Sequence, residues 1–185
     1  MPRSLGLAFL VVCALMDVSD AACSRQSGGA VRFILKGSEA RDTGTGLTWQ
    51  RCSAGMTWNE RQGCAGERTL MSLNDARKSA EAAGAGWRVP TVDELHGPID
   101  RQCGRPPVDL KAFPDLRAGG DEPVDGRDDR IYWASSKVGM AGLIYYVDFA
   151  TGDVDAYSRG FPLALRLVQT DRQAGSEVIS VGSFP

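Results

Sequence analysis

Histidine is almost absent from this sequence, which removes most routes to enzymatic catalysis. His96 is the single histidine in 185 residues, so a Ser-His-Asp or Cys-His mechanism would have to use it. It precedes Gly97 and Pro98 at the end of a predicted helix, where a histidine complements the helix dipole. No G-x-S-x-G motif presents a nucleophilic serine. We therefore expect a protein that is not an enzyme and needs no cofactor.

Side chains with metal-ligand spacing are equally sparse. His96 with Asp93 and Glu94 does not supply the convergent ligand set that zinc needs. The segment from Asp121 to Asp129 is rich in carboxylates, which calcium prefers, but it lacks the EF-hand spacing. We expect a solvated acidic loop and no metal site. Nearby cations that would partly neutralise this loop are Arg117, Arg127 and Arg130.

The chain also lacks an excess of charge of either sign and a long apolar run. Its 21 basic and 23 acidic side chains give a formal charge of -2, which offers no electrostatic footprint for nucleic acid. The apolar stretch from Leu5 to Met16 is shorter than the roughly 20 residues that span a membrane. We expect no nucleic-acid partner and no transmembrane segment.

The start of the chain has the pattern of an export signal. Arg3 precedes the apolar stretch, and the small residues around 19–22 offer a cleavage site. Residues 1–22 are therefore predicted to be a signal peptide, and the mature protein to be periplasmic, secreted or on the cell surface. Cys23 would then be a candidate lipid anchor, although Asp20 stands where a lipobox has an apolar residue.

The cysteines indicate two disulfides. Cys13 would leave with the signal peptide, and the mature chain would keep Cys23, Cys52, Cys64 and Cys103, an even count that is typical of oxidising compartments. Because Cys52 and Cys64 bracket a Gly-, Ser- and Asn-containing loop, we favour their pairing, which leaves Cys23 with Cys103. The alternative, a zinc site built from all four thiolates, lacks any C-x-x-C spacing.

Capping motifs and turns divide the rest of the chain into strands and helices. Helices are predicted from 72 to 84 and from 91 toward 99, and the segments 52–68 and 104–130 are predicted to be irregular. Strands are predicted at 30–35, 47–50, 131–135, 143–149, 154–157 and 163–168. The first two strands are expected to pair as a hairpin across the turn at 42–46.

This order of elements is typical of an α+β fold, in which helices lie outside an antiparallel sheet. The length of the segment 23–170 suits a single domain. Residues 171–185 are predicted to be a C-terminal tail.

Five motifs, in order along the chain, resemble one known family. They are DTGTGLTWQRC at 42–52, WRVPTVDEL at 87–95, YWASS at 132–136, YVDF at 146–149 and RLV at 166–168. In these segments the chain is similar to the Lcl C-terminal domain family, named after Legionella collagen-like proteins. The resemblance implies a C-type-lectin-like fold, akin to the scaffold of formylglycine-generating enzymes, in bacterial surface and periplasmic proteins.

Two features separate this chain from relatives of known activity. Adhesin members of the family are associated with glycosaminoglycan-type polyanions, but this chain has no collagen-like Gly-x-y stalk and a near-neutral charge, which attracts polyanions poorly. Formylglycine-generating enzymes oxidise their substrates with a cysteine pair in their C-terminal half, whereas every cysteine here lies at or before Cys103. The resemblance therefore favours binding over catalysis.

Large and charged residues inside the motifs are interpreted as structural. Three indole rings adjoin strand or turn signals, where they would anchor a sheet to its helices: Trp49, Trp87 and Trp133. Arg88 and Arg166 lie in apolar surroundings, so each guanidinium is expected to bind carbonyl groups or a carboxylate, which for Arg88 would be that of Glu94.

The functional hypothesis is an exported binding domain that acts in adhesion or surface recognition of a glycan or protein ligand through its long loops. Aromatic and arginine side chains supply most interface energy, and the predicted contacts are Arg127, Arg130, Tyr132, Tyr157, Arg159 and Phe161. The alternative is a periplasmic inhibitor, immunity protein or assembly factor that binds a protein partner. A third hypothesis, a glycoside hydrolase, would need paired carboxylates, for which the candidates are Asp148, Asp153 and Asp155.

Overall fold

The computed structural model describes residues 31–118, 130–140 and 142–170. These form a mixed α+β domain with antiparallel sheets and two α-helices, as predicted. Within this part of the chain, no helix combines the length and apolar character needed to cross a membrane. Outside it lie the predicted signal peptide 1–22, Cys23, the acidic loop with Arg127, and the tail 171–185.

A four-stranded antiparallel sheet brings together both ends of the described chain. Its strands, in spatial order, are β1 (Phe33–Lys36), β2 (Glu39–Asp42), β3 (Leu47–Gln50) and β9 (Val168–Thr170). The predicted pairing of the first and second strand segments is wrong, because β2 lies between β1 and β3. The sequence of β2 is EARD, which has no apolar alternation to indicate a strand.

The segment predicted to be irregular between 52 and 68 contains a short hairpin of β4 (Thr57–Asn59) and β5 (Gly63–Ala65). Strands of three residues are too short to show a periodic pattern. The Asn59 side chain accepts hydrogen bonds from the backbone N–H groups of Arg61 and Gln62, which fixes the turn between the strands.

A disulfide joins Cys52 to Cys64. This confirms the predicted pairing and excludes a zinc site that uses all four cysteines. Cys103 is also disulfide-bonded, and Cys23, its predicted partner, lies outside the described residues.

Replacing Cys52 and Cys64 together with serine is expected to lower the free energy of unfolding by about 2–3 kcal/mol, because the cross-link restricts the unfolded chain. The sequence separation of the two cysteines is 12, which sets the size of the closed loop. Urea denaturation followed by circular dichroism measures the change. An unchanged denaturation midpoint in the double variant would show that this disulfide contributes nothing to stability.

Both α-helices, α1 (Leu73–Ala83) and α2 (Val92–His96), begin at the predicted caps. The Ser72 hydroxyl accepts a hydrogen bond from Asp75 N–H at the start of α1. At the start of α2, Thr91 and Glu94 form a reciprocal capping box. The predictions that rested on these two motifs are confirmed.

The third sheet is antiparallel and has the order β6 (Ile131–Lys137), β7 (Leu143–Asp148) and β8 (Val154–Ser158), so β8 forms one edge. The strand predicted at 163–168 is mostly replaced by single bridges, in which Leu163 pairs with Met71 and Ala164 with Tyr132. Regular pairing resumes only at β9, because the chain there crosses from the third sheet to the first.

Two clusters of buried side chains form the core. The first cluster centres on Phe113, whose ring makes edge contacts with those of Phe33, Trp49 and Phe149. The second cluster contains Trp133 and packs α1 against the third sheet. Trp49 and Trp133 are 1% and 0% exposed, so two of the three tryptophans interpreted as structural lie in the core.

Candidate functional site

Three aromatic rings form a stack on one face of the hairpin made by β7 and β8, here called the aromatic stack. The ring centroids of Tyr146 and Tyr157 are 4.9 Å apart with an interplanar angle of 17°, and those of Tyr157 and Phe161 are 4.5 Å apart at 13°. Tyr146 packs against the second core cluster, whereas Tyr157 and Phe161 are 36% and 48% exposed. The aromatic stack therefore extends an apolar surface from the core into solvent.

Strand register and a tight turn produce the aromatic stack. Tyr157 pairs with Ile144, which places Tyr146 diagonally across from it on the same face of the sheet. After β8 the chain turns, and Phe161 N–H donates to the carbonyl of Ser158. This turn places the Phe161 ring against the ring of Tyr157.

A recess of about 350 Å³ adjoins the aromatic stack and carries positive charge. Ile144, the partner of Tyr157, lines it together with Met140, which is 66% exposed. Lys137 and Arg159 line it as well, and none of its described lining residues is acidic. An exposed apolar surface thus lies beside a local cationic surface in a chain that is nearly neutral overall.

The structure brings together three of the six predicted ligand contacts, Tyr157, Arg159 and Phe161. Arg130 lies at the opposite end of the third sheet, because it adjoins the pair Ile131–Asp148, whereas Tyr157 pairs with Ile144. Arg127 lies outside the described residues. The role of these side chains in binding stays a prediction.

Tyr132 is not a surface residue, so its predicted contact with a ligand is wrong. It is 0% exposed, and its hydroxyl lies 2.7 Å from Ser53 Oγ and accepts a hydrogen bond from Arg166. Tyr132, Trp133 and Ala134 are all buried, because core packs against both faces of β6. A strand buried on both faces shows no alternation from which an outward side chain could be predicted.

The Tyr132 hydroxyl belongs to a buried network built around Arg166 and Asp115. Arg166 Nη2 lies 2.7 Å from Asp115 Oδ2, and both side chains are 0% exposed. Arg166 Nη1 donates to the carbonyls of Gln50 and Arg51 at 3.0 and 2.6 Å. The network therefore ties β3 to the 3-10 helix Pro114–Ala118, which leads into the acidic loop.

Both partners of this buried pair are held in their charged forms. Burial raises the pKa of Asp115, but the charge of Arg166 and the hydrogen bond from Ser53 lower it more, so the pKa lies below its ordinary value of 3.8. Burial lowers the pKa of Arg166, and the charge of Asp115 more than reverses this. The guanidinium and the carboxylate therefore both remain ionised at neutral pH.

A second depression, here called the Trp87 groove, lies between α1 and the segment that follows it. It has a volume of about 530 Å³. It is lined by Trp87, Arg88 and Glu94, for which the sequence predicts structural roles only, together with Arg77 and Glu81 of α1. The two charged residues of α1 could not be distinguished in the sequence from a solvated helix face.

The predicted ion pair of Arg88 with Glu94 is present in the Trp87 groove. Two guanidinium nitrogens donate to the two carboxylate oxygens, each at 2.6 Å. The hydrogen bond from Arg88 is the largest cause that lowers the pKa of Glu94, against the opposing effect of partial burial. The carboxylate is therefore ionised at neutral pH and oriented by its partner.

The lowered pKa values of Asp115 and Glu94 predict acid sensitivity. A carboxyl group with a lower pKa in the folded state stabilises the fold above its unfolded pKa, and this stabilisation is lost as pH falls through the folded value. The ordinary values are 3.8 and 4.5, so the free energy of unfolding should decrease below about pH 4.5. Urea denaturation at a series of pH values measures this.

The control for this prediction is Glu94→Gln, which removes one of these two carboxyl groups. As pH falls, the free energy of unfolding of Glu94→Gln should decrease less than that of the wild type. The decrease should also begin at a lower pH. Equal slopes for the two proteins below pH 4.5 would contradict a contribution from Glu94.

Two of the carboxylates considered for hydrolysis accept hydrogen bonds from nearby backbone N–H groups. Asp148 accepts a hydrogen bond from Ala150 N–H, and Asp155 accepts one from Ala156 N–H. His96 is exposed in the last turn of α2. Across the described residues, no group of three or more His, Cys, Asp or Glu side chains is placed to hold a metal ion.

Comparison with known proteins agrees with the motifs. The family model of the Lcl C-terminal domain matches residues 38–169, which include strands β2 to β8, both α-helices and the aromatic stack. No curated protein matches the chain.

Proposed function

Because the chain belongs to the Lcl C-terminal domain family, we propose that it is an exported binding protein of the bacterial envelope that recognises a glycan or protein ligand and catalyses no reaction. Membership of the family supports a binding, surface-associated domain.

The observation that carries the proposal is the aromatic stack with its cationic recess. Tyr157 and Phe161 expose stacked rings where solvent would favour polar side chains, and exposed apolar surface that persists in a folded domain is typical of interaction sites. Arg159 and Lys137 add charge beside it. Aromatic rings and arginine are the side chains that contribute most to binding interfaces.

The disulfides support the export. The bond from Cys52 to Cys64 and the disulfide-bonded state of Cys103 are typical of an oxidising compartment, such as the bacterial periplasm or the extracellular space. Oxidised cysteines also agree with the signal peptide predicted at 1–22.

A two-armed experiment tests the proposal. The purified mature protein is applied to a glycan array and, as immobilised bait, to solubilised envelope proteins from the same bacterium. We expect saturable binding to a defined glycan or to one stoichiometric protein partner. A protein partner whose own activity is suppressed would favour the inhibitor or immunity function. No binding in either arm, or turnover of a bound glycan, would contradict the proposal.

A further inference from the structure

We propose that the Trp87 groove binds an uncharged saccharide, at a site separate from the aromatic stack. The two surfaces share no lining residue. Binding in the Trp87 groove can therefore be tested separately from binding at the aromatic stack.

The Trp87 groove is preformed. On one side, α1 buries Ala76 and Ala80 against the core. On the other side, Arg88 exchanges backbone hydrogen bonds with Val168 of β9, and the carbonyl of Pro90 accepts one from Ser135 N–H of β6. Hydrogen bonds and core packing thus hold both walls of the groove in place. The volume of the groove, about 530 Å³, lies in the range of small-ligand sites, about 300–1,000 Å³.

The residues that line the groove form an apolar surface and a polar rim, which match the two kinds of surface on a sugar. Trp87 forms an aromatic wall, and Ala80 and Val89 form an apolar floor, so the C–H face of a pyranose ring can stack there. Polar groups occupy the rim, where Thr91 and Ser135 supply hydroxyls. A pyranose likewise has an apolar face and a periphery of hydroxyl groups.

The charges of the groove favour an uncharged ligand. Its rim carries two cations and two anions, Arg77, Arg88, Glu81 and Glu94, so its formal charge is zero. Arg88 and Glu94 are engaged with each other through two hydrogen bonds of 2.6 Å. An anionic ligand would compete with Glu94 for the guanidinium, and a cationic one would compete with Arg88 for the carboxylate.

A hydroxyl group avoids this competition. It both donates and accepts, so neighbouring sugar hydroxyls can donate to Glu94 and accept from Arg88 while the ion pair stays intact. The side chains of Arg88 and Glu94 are 38% and 22% exposed, so both remain accessible to such a ligand.

The test follows the indole N–H resonance of Trp87 by ¹H–¹⁵N NMR spectroscopy. The protein is titrated with four neutral disaccharides, lactose, maltose, cellobiose and N,N′-diacetylchitobiose. The comparison ligands are a sulfated heparin disaccharide and the capped peptide acetyl-Ala-Pro-Tyr-amide. We expect a saturable shift with at least one neutral disaccharide and weaker or no binding of both comparison ligands.

Three variants locate the site. Trp87→Ala, in which binding is followed by the backbone amide resonances of Arg88 and Val89 because the indole is gone, should weaken binding by about tenfold through loss of the stacking surface. Because Trp87 also packs against the second core cluster, Glu81→Trp provides a second variant, in which a bulky ring on the exposed face of α1 fills the groove and abolishes binding. Lys78→Trp adds the same ring to a position outside the groove and should leave the affinity unchanged.

Several results would overturn the inference. They are the absence of a shift with all four neutral disaccharides, tighter binding of the sulfated disaccharide or of the peptide at Trp87, and full affinity in Glu81→Trp.

Discussion

Replacing Asp115 with alanine is expected to lower the free energy of unfolding by about 3–5 kcal/mol, because it leaves the guanidinium of Arg166 buried without a counter-charge. Both side chains of this pair are 0% exposed, so water cannot substitute for the lost carboxylate. Ser53, whose N–H and hydroxyl both donate to Asp115, would lose these two hydrogen bonds as well. Urea denaturation followed by circular dichroism measures the loss.

The matched control for Asp115→Ala is Lys78→Ala, which breaks the ion pair of Lys78 with Asp75 on the surface of α1. Those two side chains are 76% and 58% exposed, and exposed pairs contribute about 0–1 kcal/mol. Similar losses in the two variants would contradict the view that the buried network is a principal constraint on the fold.

Replacing Tyr157 and Phe161 together with alanine is expected to weaken ligand binding at least about 100-fold, because interface aromatics of this kind contribute about 2 kcal/mol or more each. The fold should tolerate the change, since both rings lie toward solvent. Isothermal titration calorimetry with the glycan or protein found by the array or pull-down measures the affinity.

A double variant of β1, Ile34→Ala with Leu35→Ala, controls for the loss of exposed apolar surface in general. Ile34 and Leu35 are 52% and 40% exposed and lie on the first sheet, away from the β7–β8 hairpin. Their removal should leave the affinity within about twofold of the wild type, given that surface contacts outside an interface centre contribute little. Comparable losses in both double variants would indicate unspecific hydrophobic adhesion.

Elements with local signals could be predicted from the sequence. The caps at Ser72 and Thr91 define the helix starts because the cap and its partner are three residues apart. The ion pair of Arg88 with Glu94 spans six residues, so it also follows from local geometry. The pairing of Cys52 with Cys64 is of the same kind, since the two cysteines bracket one loop.

Elements that depend on distant contacts could not be predicted. β2 is a strand because its neighbours on both sides pair with it, and its own charged sequence favours no strand. Tyr132 looks like an interface residue by type, but packing on both faces of β6 buries it. Arg166 has apolar neighbours in the sequence, which indicates that its guanidinium has a buried partner. The sequence does not show that this partner is Asp115, because the two residues are 51 positions apart and only the fold brings them together.

In the candidate site, too, the features that depend on residues close in sequence could be predicted, and those that depend on distant contacts could not. Tyr157, Arg159 and Phe161 are close in sequence, and their types alone suggested an interface. That Tyr146 completes the stack requires the register of β7 with β8. The Trp87 groove depends on how α1 packs beside the Trp87–Glu94 segment, which no local pattern encodes.

Hydrogen–deuterium exchange of the protein with and without its captured ligand tests the central claim most directly. If the aromatic stack is the binding surface, ligand should slow exchange in β7, β8 and the turn that carries Arg159 and Phe161, and should leave β1 and β2 unchanged. Protection confined to β1 and β2, with none in the β7–β8 hairpin, would contradict the account.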